Sequence, residues 1–432
     1  MSQPVSDQSS PGYLDLLRPR GIPLLFAGAF VGRMSVGMIP VAVVLFIQQV
    51  TGSFSVAGLT MAGYAVGTVV AGPARSWISV RLGHSAALLV LSSISGSALV
   101  ALVPAAHGDS SWILAALVTV SGCSAPPFGA LMRVGWSRKL PPHWVSRAFG
   151  VDSVVEESTL VLGPLVATGA VALAGPDVAV LVAGSVCVLG GLLMASAAER
   201  GRLESTGAET GGGTLSMVAR RIRWLLVVFA GIGFTIGATE VAVPALAIET
   251  GRASLAGGLL ATLALGSAIA ALLYGRRNWR TSAAARLIGL ALLFGFGAAL
   301  LATVPGLGLA VPLLVLVGVA MGPAVMTVYL LADALTEGAA AKTHSAILVN
   351  VACNGGSGLG AAVAGMVIAD LGVGQAFLLS GIATVIATGL GFALFARDRK
   401  PHATNRTIRA ARREVWAVNR PVIGEGRRHS NS

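Results

Sequence analysis

Five ionisable side chains lie inside long apolar stretches of this sequence. They are Arg33, Asp152, Glu156, Glu157 and Glu240. On the gentlest insertion scales, a charge at the middle of a membrane helix costs about 2.5–3.5 kcal/mol, so each of these residues needs a reason to be there. An arginine beside carboxylates can bind an anion, form a fixed ion pair, or control which acid holds a proton. These residues are therefore the candidate site.

The depths of the first-half charges predict that they meet. Arg33 lies about 11 residues into the first apolar stretch, or ~16 Å at 1.5 Å per residue. Glu156 and Glu157 lie about 8–9 residues into the fifth, or ~12–14 Å from the same face. One arginine cannot neutralise two acids, so one acid could stay protonated and exchange its proton. The alternative is a fixed buried pair that only holds two helices together.

A neutral polar pair occupies the matching place in the second half. A shift of 198 residues carries Asp152 and Glu156 onto Asn350 and Asn354, which keep the i, i+4 spacing of one helix face. Asparagine forms hydrogen bonds without titrating. The pair is therefore predicted to contact a substrate or, equally, to pack helices together.

Glu240 and Arg133 each have more than one interpretation. Glu240 is alone in the seventh stretch, toward its outer half, and could be a second proton site, a cation contact or a residue of the outer rim. Arg133 ends the fourth stretch, so its side chain is expected to extend to the membrane surface. Arg133 could instead pair with Asp152, which lies near the same face.

The elements that position these residues must be membrane helices. The chain has 432 residues, of which 55% are hydrophobic and only 11% charged, and its mean hydropathy is +0.80. Soluble domains carry about 25% charged residues. Runs of about 20 apolar residues predict an all-α membrane protein with twelve transmembrane segments. They are 22–47, 55–74, 85–104, 112–134, 148–173, 178–197, 223–248, 254–275, 285–304, 309–332, 345–369 and 375–396.

A repeated segment shows that the second half resembles the first. Thr51-Gly-Ser-Phe-Ser-Val-Ala-Gly58 returns 199 residues later as Thr250-Gly-Arg-Ala-Ser-Leu-Ala-Gly257. A duplicated bundle in a membrane protein is typical of transporters that rock one half against the other. The predicted domains are an N-terminus 1–21, a six-helix bundle 22–197, a polar linker 198–222, a second six-helix bundle 223–396 and a basic tail 397–432.

The positive charges predict the orientation. Of the 30 lysines and arginines, all but Arg33 and Arg252 fall at the N-terminus, in connections on one side, or in the tail. This bias places both termini in the cytoplasm. The first apolar run is expected to be an uncleaved anchor. The tail is predicted either to lie on anionic lipid as a helix or to be disordered.

Several chemistries are not expected. The three cysteines are far apart in apolar runs, so no metal site is predicted. The net charge of +12 follows the topology and does not indicate nucleic acid. No Walker loop is present, so ATP is not the expected energy source. Gly355-Gly-Ser-Gly358 is similar to a serine-protease motif, but the histidines lie in loops, at segment ends or in the tail, which leaves a membrane enzyme as a remote alternative.

Two six-helix halves, a polar central loop and this orientation resemble the major facilitator superfamily over about residues 15–398. That family carries a G-x3-D-R-x-G-x-R-R motif after its second helix, where an acid and an arginine clasp helix ends. Arg81 and Gly83 match the motif, whereas Val80 replaces the acid. Gly275 and Arg280 are the second-half counterparts. The resemblance therefore implies the fold, with a degenerate clasp.

The fifth segment resembles the antiporter motif of the same superfamily. Gly150, Gly163 and Pro164 fit the motif. Its other glycines are replaced by Thr159, Ala167 and Thr168. In the family this motif accompanies export in exchange for protons.

The resemblance implies a secondary active transporter that works by alternating access. We expect proton-coupled efflux of a small or amphipathic molecule by a monomer in a bacterial plasma membrane. The expected partners are a small-molecule substrate and the lipid bilayer, with no cofactor and no nucleic acid. The alternative is a facilitator or importer of a polar or anionic solute, in which Arg33 would bind a carboxylate or phosphate.

Overall fold

The computed structural model describes residues 15–108, 110–197, 212–277, 279–304 and 306–398. Over these residues the chain is helical, and none of them forms a strand. The first half contains α1 Ile22–Thr51, α2 Phe54–Val70, α3 Gly72–Leu82, α4 His84–Val100, α5 Leu102–Ala105, α6 Ser111–Cys123, α7 Phe128–Lys139, α8 Pro142–Ala174 and α9 Pro176–Ala197. The second half contains α10 Gly212–Glu249, α11 Ala256–Arg276, α12 Ala283–Leu300, α13 Leu307–Ala334, α14 Ala339–Leu371 and α15 Val373–Asp398. Short 3-10 turns occupy Asp15–Leu17, Ala253–Leu255 and Leu301–Thr303.

The predicted twelve spans are confirmed. In the described chain, 11 candidate spans are long and apolar enough to cross a membrane. The α2–α3 pair, bent by 51°, provides the twelfth. Many large apolar side chains on the outer faces are exposed, as lipid contact requires. The fold is an all-α membrane bundle.

Two of the predicted segments are interrupted. The second, predicted as one run over 55–74, bends after Val70 and continues as α3, which has a proline in its first turn. Proline is accepted there because the first helical N–H groups need no partner within the helix. The fourth, predicted over 112–134, breaks between α6 and α7 at Pro126-Pro127 and then runs on to Lys139. Each interruption frees backbone carbonyls inside the bundle.

The predicted linker 198–222 is shorter in the structure, because α10 already begins at Gly212. Glycine disfavours helices, but helix propensity is a weak guide when the following residues pack against a bundle. Residues 198–211 and the predicted basic tail lie outside the described residues, as does most of the predicted N-terminus.

The helix packing repeats between the halves. In the first half, α1 packs along α9 and α8, as α10 packs along α15 and α14 in the second. Likewise α2 with α6 matches α11 with α13, and α4 with α9 matches α12 with α15. Between the halves, α2 packs on α14 and α8 packs on α11. The prediction of two pseudo-symmetric six-helix bundles is confirmed.

Candidate functional site

Four charged side chains from three helices form a continuous row, called here the charge ladder: Arg33, Asp152, Arg133 and Glu156. Arg33 Nη1 on α1 lies 2.8 Å from Asp152 Oδ1 on α8. Arg133 of α7 joins the two acids, with Nε 3.2 Å from Asp152 Oδ2 and Nη2 3.0 Å from Glu156 Oε2. Exposure rises along the ladder, from 0% for the Asp152 side chain to 48% for that of Glu156. The ladder therefore leads from the packed interior to an accessible surface.

The interruption before α7 helps to position the ladder. After Pro126-Pro127, α7 begins beside α1, and Phe128 packs against Gly32. Gly129 then faces the Arg33 guanidinium, where an added Cβ would lie 3.1 Å from Nη2. A larger residue at 129 would press on this charge, so the glycine leaves room for the arginine.

Arg33 keeps unused hydrogen-bonding capacity. Its two Nη atoms are buried and have no hydrogen-bond partner among the described residues, although Nη1 is 2.8 Å from Asp152 Oδ1. The contact is close enough for strong charge attraction but its angles do not form a hydrogen bond. Buried donors without partners are costly, and a ligand with acceptor oxygens could satisfy them.

The pairing corrects two predictions. Arg33 was expected to meet Glu156 or Glu157, but its partner is Asp152, one helical turn before Glu156. Arg133 was expected to extend to the membrane surface or, as the alternative, to pair with Asp152. It pairs with both Asp152 and Glu156, so the alternative is the one that the structure shows. The side chain of Glu157 lies outside the described residues.

Polar residues of the second half lie near this ladder or next to a residue that does. The amide of Asn354 on α14 donates to the side-chain oxygen of Asn350 at 3.0 Å. Tyr329 of α13 is within reach of Asn350 and interacts electrostatically with Glu156 and Arg133. Tyr329 therefore places a neutral polar group of one bundle near the charged residues of the other.

Glu240 lies apart from the ladder. It is half-buried on α10, near Tyr64 of α2 and Cys353 of α14. Within the described chain, no hydrogen bond or ion pair joins Glu240 to another residue. Its place where two helices of the second half meet one helix of the first makes it an additional candidate site.

The two repeated segments close the bundle at the end opposite its termini. Gly58 of α2 sits on the backbone of Ala361 and Gly365 in α14, and Gly257 of α11 sits on Pro164 in α8. A Cβ at either glycine would overlap a backbone carbonyl oxygen. Ser55 Oγ also donates to the Gly365 carbonyl at 3.2 Å. We call these two contacts the outer seal.

Comparisons with known proteins agree with this architecture. The sequence profile described as Major Facilitator Superfamily matches residues 25–351. The chain belongs to this superfamily. It is accordingly a multi-pass membrane transporter and not an enzyme. Comparison with curated protein sequences gives no match.

Solved transporter structures share the superfamily fold. The nucleoside transporter NupG is similar with a TM-score of 0.70 and 11% identity, over 87% of this chain and 99% of that one. The POT family transporter PepTSo gives 0.68 and 12%, over 88% and 98%. A bacterial homologue of the human lysosomal transporter Spinster, inward-facing and occupied, gives 0.67 and 16%, over 88% and 98%. At these identities the likeness shows the fold alone.

The superfamily motifs have structural positions here. Gly163 packs on the Gly37 backbone and Pro164 contacts Gly257, so the later residues of the antiporter-like stretch lie at the α1 contact and the outer seal. Its first glycine, Gly150, lies two residues before Asp152 of the ladder. Arg81 is exposed and lies 5.0 Å from the Trp77 ring. Gly83 has a φ of 81°, which favours glycine.

The second-half motif residues end α11 and begin the following loop. Gly275 faces the side chain of Met326, and Arg280 is exposed. Ser357 of the protease-like motif contacts Gly237 through its backbone, which is a packing role. Among the described residues, no cluster of His, Cys, Asp or Glu could hold a metal ion.

In the sequence, Arg75 is recognisable only as one of the positive charges that predict the orientation. Arg75 of α3 donates to the Thr68 carbonyl at 2.5 Å and to the Ala125 carbonyl at 3.0 Å. These carbonyls belong to the interruptions of the second and fourth spans. Arg75 thus donates hydrogen bonds to the freed backbone carbonyls at both interruptions. The prolines Pro126-Pro127 were the sequence signal that could have predicted the interruption of the fourth span.

Proposed function

We propose that this transporter exports a small or amphipathic molecule in exchange for protons. The observation that carries the proposal is the charge ladder, in which Arg133 is shared between buried Asp152 and half-exposed Glu156. An acid that must share its cation can lose it to a competing ligand. The ladder therefore supplies groups that can exchange both a proton and a substrate contact.

The shared arginine provides the coupling. A charged Glu156 holds Arg133 at the exposed end of the ladder, where a substrate group can reach the guanidinium. Protonation of Glu156 conversely releases Arg133 toward Asp152. Tyr329 and the Asn350–Asn354 pair of the other bundle supply neutral hydrogen-bonding groups for the substrate. A proton on Glu156 thus withdraws the arginine that the substrate contacts, as exchange of substrate against protons requires.

The outer seal supports alternating access. It joins α2 to α14 and α8 to α11, the two contacts that a rocking motion between bundles must break. With both termini cytoplasmic, as the positive charges predict, this form is closed toward the outside. We propose a monomer in a bacterial plasma membrane, driven by the proton gradient without a cofactor.

Transport by everted membrane vesicles tests this proposal. A broad compound panel is measured with and without an imposed pH gradient, for the wild type and for Glu156→Gln. The matched control is Glu249→Gln, an exposed acid at the end of α10. We expect gradient-dependent transport that Glu156→Gln abolishes and Glu249→Gln retains. Transport that ignores the gradient, or equal behaviour of both variants, contradicts proton coupling at the ladder.

A second candidate is a facilitator or importer of an anionic solute. The two buried Nη atoms of Arg33 favour it, because they lack hydrogen-bond partners and could bind a carboxylate or phosphate. Under this alternative, anionic compounds compete for transport and the pH gradient has no effect. Arg33→Lys should then weaken affinity strongly, since lysine lacks the planar fork.

A further inference from the structure

An arginine-rich cluster with ordered aromatic rings lies between α11 and α12, away from the charge ladder. The cluster consists of Tyr274, Arg276, Arg277, Trp279, Arg280 and Arg286. Tyr274 and Trp279 lie with their ring centroids 4.7 Å apart, and Trp279 Nε1 donates to the Tyr274 carbonyl at 3.0 Å. Thr327 of α13 donates to the Tyr274 hydroxyl at 3.1 Å. The aromatic pair is therefore fixed to the bundle.

Two guanidinium groups are held on this aromatic pair. Arg277 lies 4.8 Å from the Trp279 ring. Arg286 lies 5.2 Å from the Tyr274 ring and 5.4 Å from the Trp279 ring. Stacking on a ring leaves the edge of a guanidinium, with its N–H groups, free to bind an anion. Arg286 Nε is buried and has no hydrogen-bond partner among the described residues.

The positive charge of the cluster is not compensated by any acid in the part of the chain that the structure describes. Within the described chain, no ion pair joins any of its four arginines to an acid. Arg286 also lies in the first turns of α12, where the helix dipole disfavours a positive charge. The orientation of the protein in the membrane requires only that exposed positive charges lie on one side. It does not require these charges to be ordered on aromatic rings. The ordered stacking, together with the lack of an ion pair to any described acid, therefore points to a bound anion.

The surroundings identify the source of that anion as lipid. Leu272 and Leu273, one turn earlier on α11, are 58% and 60% exposed, so they offer acyl chains an apolar surface beside the arginines. Tryptophan and tyrosine are also typical of the membrane interface. We propose that this cluster binds the phosphate of an anionic phospholipid, with its acyl chains along α11.

The proposal is tested by binding to the purified full chain in a neutral detergent. Phosphatidylglycerol is titrated and its retention is followed by native mass spectrometry, with phosphatidylcholine of the same acyl chains as the lipid control. Arg277→Gln with Arg286→Gln should weaken phosphatidylglycerol binding about 30-fold, or about fivefold per arginine. Arg252→Gln, in the connection between α10 and α11 at the opposite end, should leave binding unchanged.

Further arms separate charge from packing and lipid from free phosphate. Arg277→Lys with Arg286→Lys should keep phosphatidylglycerol binding within about threefold of the wild type, because lysine retains the charge. Equal losses in the lysine and glutamine pairs would overturn the proposal, since the effect would then come from packing. Unchanged binding in the glutamine pair, or no preference over phosphatidylcholine, would also overturn it. Displacement by glycerol phosphate at the same concentration as the lipid would contradict the lipid assignment.

Discussion

Replacing Asp152 by asparagine perturbs the charge ladder at its most buried point. The Asp152 side chain is fully buried and contacts Arg33 at 2.8 Å and Arg133 at 3.2 Å. At an effective dielectric constant of 20, these attractions are worth about 6 and 5 kcal/mol before desolvation. The cost of burying the charges offsets much of this. Removing one partner of a buried pair therefore typically destabilises by about 3–5 kcal/mol.

The ladder predicts unequal effects for its members. Arg33→Gln should destabilise less than Asp152→Asn, because Arg133 still neutralises Asp152. In the double variant no buried charge is left unpaired, since half-exposed Arg133 keeps Glu156. The double variant should therefore lie within about 1–2 kcal/mol of the wild type.

Thermal unfolding of the purified protein, followed by tryptophan fluorescence, measures these differences. With ~2.1 cal/mol/K of unfolding entropy per residue, 1 kcal/mol shifts the Tm of 432 residues by about 1 °C. Asp152→Asn should lower the Tm by about 3–5 °C. The control Arg18→Gln, whose side chain is 81% exposed beside Asp15, should change it by less than about 1 °C. Losses in Arg33→Gln and Asp152→Asn that simply add in the double variant would refute this reasoning.

Three other perturbations test separate features. Gly257→Trp should break the outer seal and increase labelling of the native cysteines by an impermeant maleimide added from outside. The control Gly258→Trp, at a glycine that faces open space, should not increase labelling. Equal labelling of the two variants contradicts the seal. Arg75→Gln removes two charge-assisted hydrogen bonds and should destabilise by about 3–5 kcal/mol in the same unfolding assay; a loss below about 1 kcal/mol contradicts its role. Glu240→Gln should lower transport of cationic compounds at least tenfold, because a carboxylate attracts a cation 4 Å away by about 4 kcal/mol. Unchanged cation transport relative to Glu249→Gln contradicts a ligand role for Glu240.

The membrane fold was predictable because each span is a local property of about 20 residues. The repeated segment also predicted the two-fold relation, and its final glycines Gly58 and Gly257 turn out to lie at equivalent places in the outer seal. The interruption at Pro126-Pro127 was readable from its prolines. The helical start at Gly212 was not, because the following residues form helix only where α10 joins the bundle.

The composition of the candidate site was predictable, but its pairing was not. Apolar surroundings mark Arg33, Asp152 and Glu156 as unusual in the sequence itself. Which acid Arg33 meets depends on the rotation and tilt of α1 against α8, and one helical turn is only 5.4 Å. Arg133 joins the ladder from α7, a separate helix that begins only after the break at Pro126-Pro127, and no count of residues along one straight helix predicts where its side chain lies.

Proton movement measured together with substrate movement tests the central claim most directly. Proteoliposomes of the wild type and of Glu156→Gln are loaded with a substrate identified by the compound panel, and internal pH and substrate release are recorded together. We predict that wild-type release is accompanied by protons moving the other way. Glu156→Gln should still exchange labelled for unlabelled substrate, yet move no protons and build no substrate gradient. A Glu156→Gln transporter that couples protons to substrate as the wild type does would contradict the proposed role of the charge ladder.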